Sequence, residues 1–274
     1  MSLMKVKESR EQQRAVLLRR HLRDQVVIVT GASSGIGATI AREFAQYGAQ
    51  VVLAARRVEE LQTQIDVITN AGYQALAIPT DVTEPEQITR LVEQVQERFG
   101  RVDILVNNAG IGWLRPFYKE PVTNIDRVIN VNLRGAMLAT HAVLPGMIAR
   151  KHGTIIAVAS VAGHLPSSSL YSATKYGLRG FMLSLHHELL GTGVSASTVS
   201  PGFIRTKMAQ GAPKARLIPM PGPDVVARAV LDLTLKPRRE LIVPGMYVPL
   251  VAFAKAFPGI VDFAMSRFER REAR

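Results

Sequence analysis

VVIVTGASSGIGATIAREFAQYG, residues 26–48, is the stretch on which the reading of the whole chain turns. Its first five residues, Val26 to Thr30, are all β-branched, the composition of a strand buried on both faces. Gly31, Gly35 and Gly37 follow directly, and then a segment that places Ile and Phe at helical spacing. A strand, a glycine turn and a helix in immediate succession form a βα unit, and the glycines let the backbone approach closely whatever lies at the strand's end.

The same alternation continues outward. Strand-like runs recur at 50–55, 75–82, 103–110, 153–160, 194–202 and 239–244, with helical segments at 58–72, 85–100, 123–150, 170–190 and 224–235. Pro145 and Gly146 are expected to end or kink the 123–150 helix. This pattern predicts an α/β fold: a Rossmann-type doubly wound parallel sheet of about seven strands with helices on both faces. A single domain over 25–244, with a lid at 206–222, is expected between a basic N-terminal extension at 1–24 and an apolar, then basic, C-terminal extension at 245–274. The N-terminal extension reads as a polar helix or a loose arm. In doubly wound sheets ligands bind beyond the carboxyl ends of the strands, where strand order reverses.

Composition narrows the function classes. The 274 residues include no cysteine, which excludes disulfides, thiolate metal ligands and a cysteine nucleophile. His186-His187-Glu188 is the only histidine cluster, and adjacent helical positions point apart, so no metal site is expected. The net charge of +12 raises nucleic acid as a partner. The basic residues gather at the termini, however, without interleaved aromatics, and no nucleic-acid partner is expected. The charged opening lacks the apolar run of a secretory leader, so the expected location is cytoplasmic.

The glycine turn has the spacing GxxxGxG and opens a helix whose N-terminus can receive a pyrophosphate. Gly31, Ser33, Ser34, Gly35, Ile36 and Gly37 are the candidate contacts of a dinucleotide. The second strand ends Ala55-Arg56-Arg57, where dinucleotide sites that hold a ribose 2′-hydroxyl often carry an acid. With no carboxylate there to repel a 2′-phosphate, and guanidinium groups able to grip one, the expected cofactor is NADP(H). Arg56 is the first candidate and Arg57 the one freer to face solvent. Farther along, Tyr171 and Lys175 stand four apart in SLYSATKYGL (169–178), so on a helix they share a face. An ammonium beside a phenol favours the phenolate, which would suit the tyrosine to proton transfer.

Together TGASSGIG (30–37), DV (81–82), NNAG (107–110), VN (131–132), ASVAG (159–163), YSATK (171–175) and SPGFIRT (200–206) resemble the short-chain dehydrogenase/reductase family, in the family's order. The resemblance covers roughly residues 24–206. It implies an oxidoreductase that interconverts a ketone or aldehyde and an alcohol by hydride transfer. It implies that Ser160, Tyr171, Lys175 and Asn132 form the catalytic set, with Tyr171 as acid and base, Ser160 as donor to the oxyanion, and Asn132 anchoring, by its main-chain carbonyl, a water that links Lys175 to solvent. It also implies that Asp81 and Val82 border the adenine and that Asn108, Ala109 and Gly110 floor the cofactor. Pro201, Gly202, Ile204 and Thr206 would hold the nicotinamide end, and Tyr171 and Lys175 its ribose. The interval from Ser160 to Tyr171, eleven positions, is shorter than the family's usual one, so the connection must cross the substrate mouth by a shorter path.

Trp113, Met208 and Leu217 are the candidate substrate contacts, and the apolar residues around them suggest a moderately large apolar carbonyl compound, steroid-, retinoid- or acyl-like. The alternatives are a 3-oxoacyl thioester (acyl-carrier-protein) reductase and, outside the enzymes, an NADP(H)-sensing binding protein. A homodimer or homotetramer through the 123–150 and 170–190 helices is expected from the resemblance. Phe181, Leu185 and Leu189 fit such a contact or a core face equally. The tail at 241–268 is broken by Pro244, Pro249 and Pro258, which argues against a spanning helix and leaves an oligomer contact, a lid or a peripheral membrane contact, in that order.

Overall fold

The structure is a computed structural model and describes residues 2–112, 116–208 and 220–263. β1 (Val26–Thr30) is an interior strand of a parallel sheet, with β2 (Gln50–Ala55) and β3 (Ala75–Pro79) beyond it on one side. On the other side lie β4 (Ile104–Asn107), β5 (Gly153–Val158), β6 (Val194–Pro201) and β7 (Glu240–Val243), giving the order β3-β2-β1-β4-β5-β6-β7. The predicted seven-stranded doubly wound sheet is therefore what the chain forms, and strand order reverses between β1 and β4. Register follows the side-chain alternation, with Val27 opposite Ile104 and Val29 opposite Val106.

Helices cover both faces, which explains why the strands read as continuous apolar runs. Val27, Val29, Val51, Leu53, Ile104 and Val106 point into one core with α1 (Ser2–Leu22), α2 (Gly35–Gln46), α3 (Val58–Asn70) and α8 (Asp224–Leu235). Their neighbours Val26, Ile28, Val52 and Leu105 point the other way, toward α4 (Pro85–Phe99), α6 (Gly135–Ala149) and α7 (Ser169–Glu188). Leu185 and Leu189 of the α7 region are buried in that second core and Phe181 packs on it, so this stripe serves the chain's own interior.

Three details differ from a plain reading of the pattern. The segment 123–150 is not one helix: α5 (Val122–Ile129) passes through a π-helical turn, Asn130–Arg134, into α6. Pro145 lies inside α6 and does not end it; His141, whose carbonyl loses its helical donor, is on the exposed side. The N-terminal segment is no loose arm, because Leu18 and Leu22 of α1 are fully buried and Arg14 Nε lies 2.7 Å from Asp232 Oδ1 on α8. At the other end, α9 (Tyr247–Ala256) buries Tyr247, Val251 and Ala254 and leaves Val248, Leu250 and Phe253 exposed. Among the described residues no helix is long and apolar enough to cross a membrane.

Candidate active site

The carboxyl ends of β1 and β4 are stitched together by Thr30. Its hydroxyl oxygen accepts the N–H groups of Asn108 and Ala109, each at 3.0 Å, and donates to Val106 O. Asn108 Nδ2 returns a bond to Thr30 O at 2.9 Å. This draws the Asn107–Gly110 segment so near the glycine turn that a Cβ on Gly31 would come within 2.8 Å of Ala109 Cα, and Gly31 has φ +65°. Gly37 has no room for a side chain against Asn108 Nδ2. Gly31 and Gly37 are thus needed for close approach, and Gly35 for its left-handed backbone, φ +58°.

α2 starts at Gly35, and its cap residue Ser34 makes no side-chain hydrogen bond to the helix. The first-turn N–H groups, which have no intrahelical partners, are left to an external acceptor, and the helix dipole favours an anion there. Above this turn lies a cavity of about 410 Å³, walled by the turn, Ala55–Arg57, Thr80–Val82, Asn108–Ile111 and Thr206–Met208. Thr206 Cγ2 would stand 3.7 Å from a Cβ on Gly35, so the end of β6 closes the far side. These walls suit an anionic ligand, with the turn's free amide donors, two guanidinium groups nearby and no acid on β2's tip.

The two arginines take different partners. Arg57 Nη2 donates to Ser33 Oγ at 2.7 Å and to Ser34 Oγ at 2.8 Å, directly on the glycine turn, while its Nη1 meets Glu60. Arg56 swings toward Asp81, 3.5 Å away. Burial works to raise the Asp81 carboxyl, but the N–H and hydroxyl of Thr83 and the Arg56 guanidinium outweigh it and hold it below its usual value. Asp81 N also donates to Gln87 Oε1, fixing the tip of β3.

Beyond the cavity, on the β5 side, the residues of the expected proton-transfer set come together. Ser160 caps a 3-10 turn, Val161–Gly163, its Oγ accepting from Ala162 N at 3.1 Å, and it is hydrogen-bonded to Tyr171. Lys175 Nζ donates to Val158 O at 3.0 Å and sits 5.7 Å from the centre of the Tyr171 ring. Asn132, fully buried in the π-helical turn, accepts Ile111 N at 2.7 Å and donates to Ile111 O and Thr174 Oγ1. Thr174 Oγ1 in turn donates to Tyr171 O. The π turn thereby ties the end of β4 to the helix that carries Tyr171 and Lys175.

The electrostatics depart from the expected lowering of the tyrosine. Burial raises the Tyr171 phenol above its ordinary value, and the Ser160 hydrogen bond opposes this only in part. Burial also lowers the Lys175 ammonium to about 8. The physical reason is placement: Lys175 is directed at a carbonyl and over the ring rather than at the phenol oxygen, so desolvation dominates. The neutral phenol, the form an acid must have, is the favoured one in this arrangement.

At the end of β6, Pro201 and Ile204 are buried, Thr206 lines the cavity, and Gly202 lies under the Tyr247 ring. Met208 is half exposed and lies against Gly112, whose Cβ would meet its Cγ at 3.0 Å. Trp113 and Leu217, and with them most of the expected lid, lie outside the described residues. Thr30, Gln87, Thr174 and Val158 O were not singled out from sequence. Only Thr30 had a signal, as the last residue of the strand that opens on the glycine turn.

A family model described as short chain dehydrogenase matches residues 25–217. A "Ketoacyl reductase HetN" from Nostoc sp. is 35% identical over 273 residues, spanning 91% of this chain and 94% of that one. A metagenomic short-chain oxidoreductase solved in complex with NADP superposes with TM-score 0.72 at 37% identity, covering 81% of this chain and 98% of the other. A short-chain dehydrogenase/reductase from Burkholderia phymatum, solved in complex with NAD, gives TM-score 0.80 at 25% identity, covering 88% and 96%.

Proposed function

The chain belongs to the short-chain dehydrogenase family, an oxidoreductase family, and on that premise we propose that it is an NADP(H)-dependent enzyme interconverting a ketone or aldehyde and an alcohol. The observation that carries this reading is the part-buried Tyr171, hydrogen-bonded to Ser160 with Lys175 on the next helical turn, beside a glycine-turn cavity at the reversal of strand order.

The nicotinamide cofactor, when bound, supplies hydride to the carbonyl carbon or takes it back. Tyr171 gives its proton to the carbonyl oxygen and in the reverse direction removes it. Ser160, hydrogen-bonded to the same phenol, donates to the oxygen as negative charge develops on it. Lys175 keeps its positive charge at neutral pH and stabilises the tyrosinate left behind. Asn132, by its main-chain carbonyl, would anchor a water that links Lys175 to solvent. Gly31 to Gly37 and the N-terminus of α2 would hold the pyrophosphate, Asp81 and Val82 the adenine side, and Thr206 and its neighbours the nicotinamide end.

NADP(H) is preferred over NAD(H) because two guanidinium groups and no carboxylate stand at the tip of β2. The substrate is read as a moderately large apolar carbonyl compound, since the half-exposed Met208 lines the cavity. The Nostoc relative's name, a ketoacyl reductase, favours a second reading, a 3-oxoacyl thioester reductase. A homo-oligomer through α6 and α7 is part of the proposal, with Met137, Ile148 and Tyr176 as the exposed apolar contacts.

The test is NADPH oxidation against ketosteroids, retinals, acetoacetyl thioesters and simple ketones, with Tyr171→Phe as control. Turnover of one class, lowered in the variant by about 10²–10⁴-fold with NADPH still bound, is expected. NADPH binding with no oxidation across the panel would instead make the chain a binding protein, and activity that survives in Tyr171→Phe would overturn the mechanism.

A further inference from the structure

The short connection between Ser160 and Tyr171 contains one buried polar side chain that the proton-transfer set does not use. His164 is 3% exposed, four residues beyond Ser160. Its Nε2 lies 3.0 Å from Ser200 Oγ on β6 and 3.1 Å from Glu240 Oε1 on β7. Its Nδ1 faces Lys255 Nζ on α9 at 3.4 Å. Glu240 is held from the far side by Arg179 of α7, through Nε at 2.5 Å and Nη2 at 2.9 Å. Three elements distant in sequence therefore converge on one imidazole, and a fourth, α7, holds the carboxylate it meets.

The donors and acceptors sort themselves. A lysine ammonium has only protons to offer, so Nδ1 accepts from Lys255. That leaves the ring proton on Nε2, directed at a carboxylate that can only accept. Burial works to raise the Glu240 carboxyl, but hydrogen bonds from His164 and Arg179 and the neighbouring positive charge hold it at about 2, so it is ionised throughout the neutral range. Lys255 is placed for its part by α9: it follows Val251 by one turn, and Val251, Ala254 and Tyr247 form the buried face of that helix.

The connection's path explains why such an anchor is useful. The 3-10 turn after Ser160 lies flush on α7, where a Cβ on Gly163 would come within 2.7 Å of Lys175 O. Ser167 N then donates to Ser172 Oγ at 3.0 Å as the chain turns into α7. Between these two fixed points only His164 reaches into the body of the fold, so it sets the height of the turn that carries Ser160.

We propose that His164 is a positioning residue, which pins the Ser160–Tyr171 connection to β6, β7 and the C-terminal helix α9, making α9 part of the scaffold that aims the proton-transfer pair. This rests on the function proposed above for Ser160 and Tyr171. It assigns α9 an internal task through Lys255, separate from whatever its exposed face contacts.

Lys255→Met tests it most cleanly, since Lys255 is at the surface and its loss leaves the core intact. Three readouts apply: turnover with the best carbonyl of the panel, the NADPH dissociation constant, and hydrogen exchange of the amides of 161–168 in the full-length protein. Expected for Lys255→Met are a fall in kcat of about 3–10-fold, unchanged NADPH affinity and faster exchange in 161–168. His164→Ala should lower kcat by about 10–100-fold, and His164→Gln, whose amide can still donate toward Glu240, should recover part of it. The ¹⁵N shifts of the ring assigned by loss in His164→Gln should report an Nε2–H tautomer. Unchanged kcat and unchanged exchange in Lys255→Met would overturn the proposal, as would an Nδ1–H tautomer. If the wild-type protein turned over no carbonyl at all, the function would fall while exchange and tautomer still judged His164.

Discussion

On the proposed NADP(H) reading Arg57 would recognise the 2′-phosphate, since it is bonded to the two serines of the glycine turn. Loss of its guanidinium should therefore weaken NADPH far more than NADH. A charge-assisted, bidentate contact of this kind contributes about 1.5–3 kcal/mol, so Arg57→Ala is expected to raise the NADPH dissociation constant by roughly 10–100-fold, with NADH changed less than about twofold. Fluorescence titration of both cofactors checks this, and equal loss for both would show that Arg57 only braces the turn. Arg56, engaged with Asp81, should matter less. Much at this scale is legible in the sequence, since the Tyr171–Lys175 spacing and the glycines declare themselves locally. His164 does not. Its partners lie 36 and 91 positions away, at Ser200 and Lys255, and nothing near it separates a buried histidine from a loop one.

The element that sets the proton-transfer geometry is the 3-10 turn Val161–Gly163, braced between α7 and the core. Adding a methyl group at Gly163 should push it off the Lys175 carbonyl, because neither side is a flexible side-chain end. Gly163→Ala is expected to cost about 1–3 kcal/mol in stability. It should also lower kcat by roughly tenfold or more, with NADPH binding retained, through misplacement of Ser160. Thermal unfolding and steady-state kinetics of the same preparation decide it, and a variant with normal kcat would mean that the turn's height is immaterial. At this scale the strands and most helices were readable from period and composition. The π-helical turn at 130–134 was not, because its cause is tertiary: Asn132 is drawn inward to bond both polar atoms of Ile111's backbone. Pro145 misled for the complementary reason, since an exposed carbonyl at His141 tolerates the lost bond.

For the whole molecule, α1 is the element whose charge conceals its role. It is rich in arginine and lysine, yet Leu18 and Leu22 are fully buried beneath it and Arg14 reaches Asp232. Leu18 and Leu22 are buried while their neighbour Leu17 is exposed, so the apolar stripe is weak, which is why the segment reads as a solvated extension. Leu22→Ala is expected to cost about 2–5 kcal/mol and to lower Tm by roughly 5–15 °C, measured by calorimetry or circular dichroism. A Tm within a degree of the parent would show that the helix is peripheral to stability.

The order of the strands also sets a timetable for synthesis. A chain emerging from its N-terminus can assemble β1, β2 and β3 while β4 has yet to be made. The bare side of β1 then waits for residues 104–107, and until they arrive its backbone N–H and C=O groups form an unpaired edge, flanked by apolar side chains and open to other nascent chains. The glycine turn, which needs Asn108 to hold it, remains unformed for the same interval. The central position that gives this protein its binding crevice is thus also the point at which a newborn copy most needs shelter.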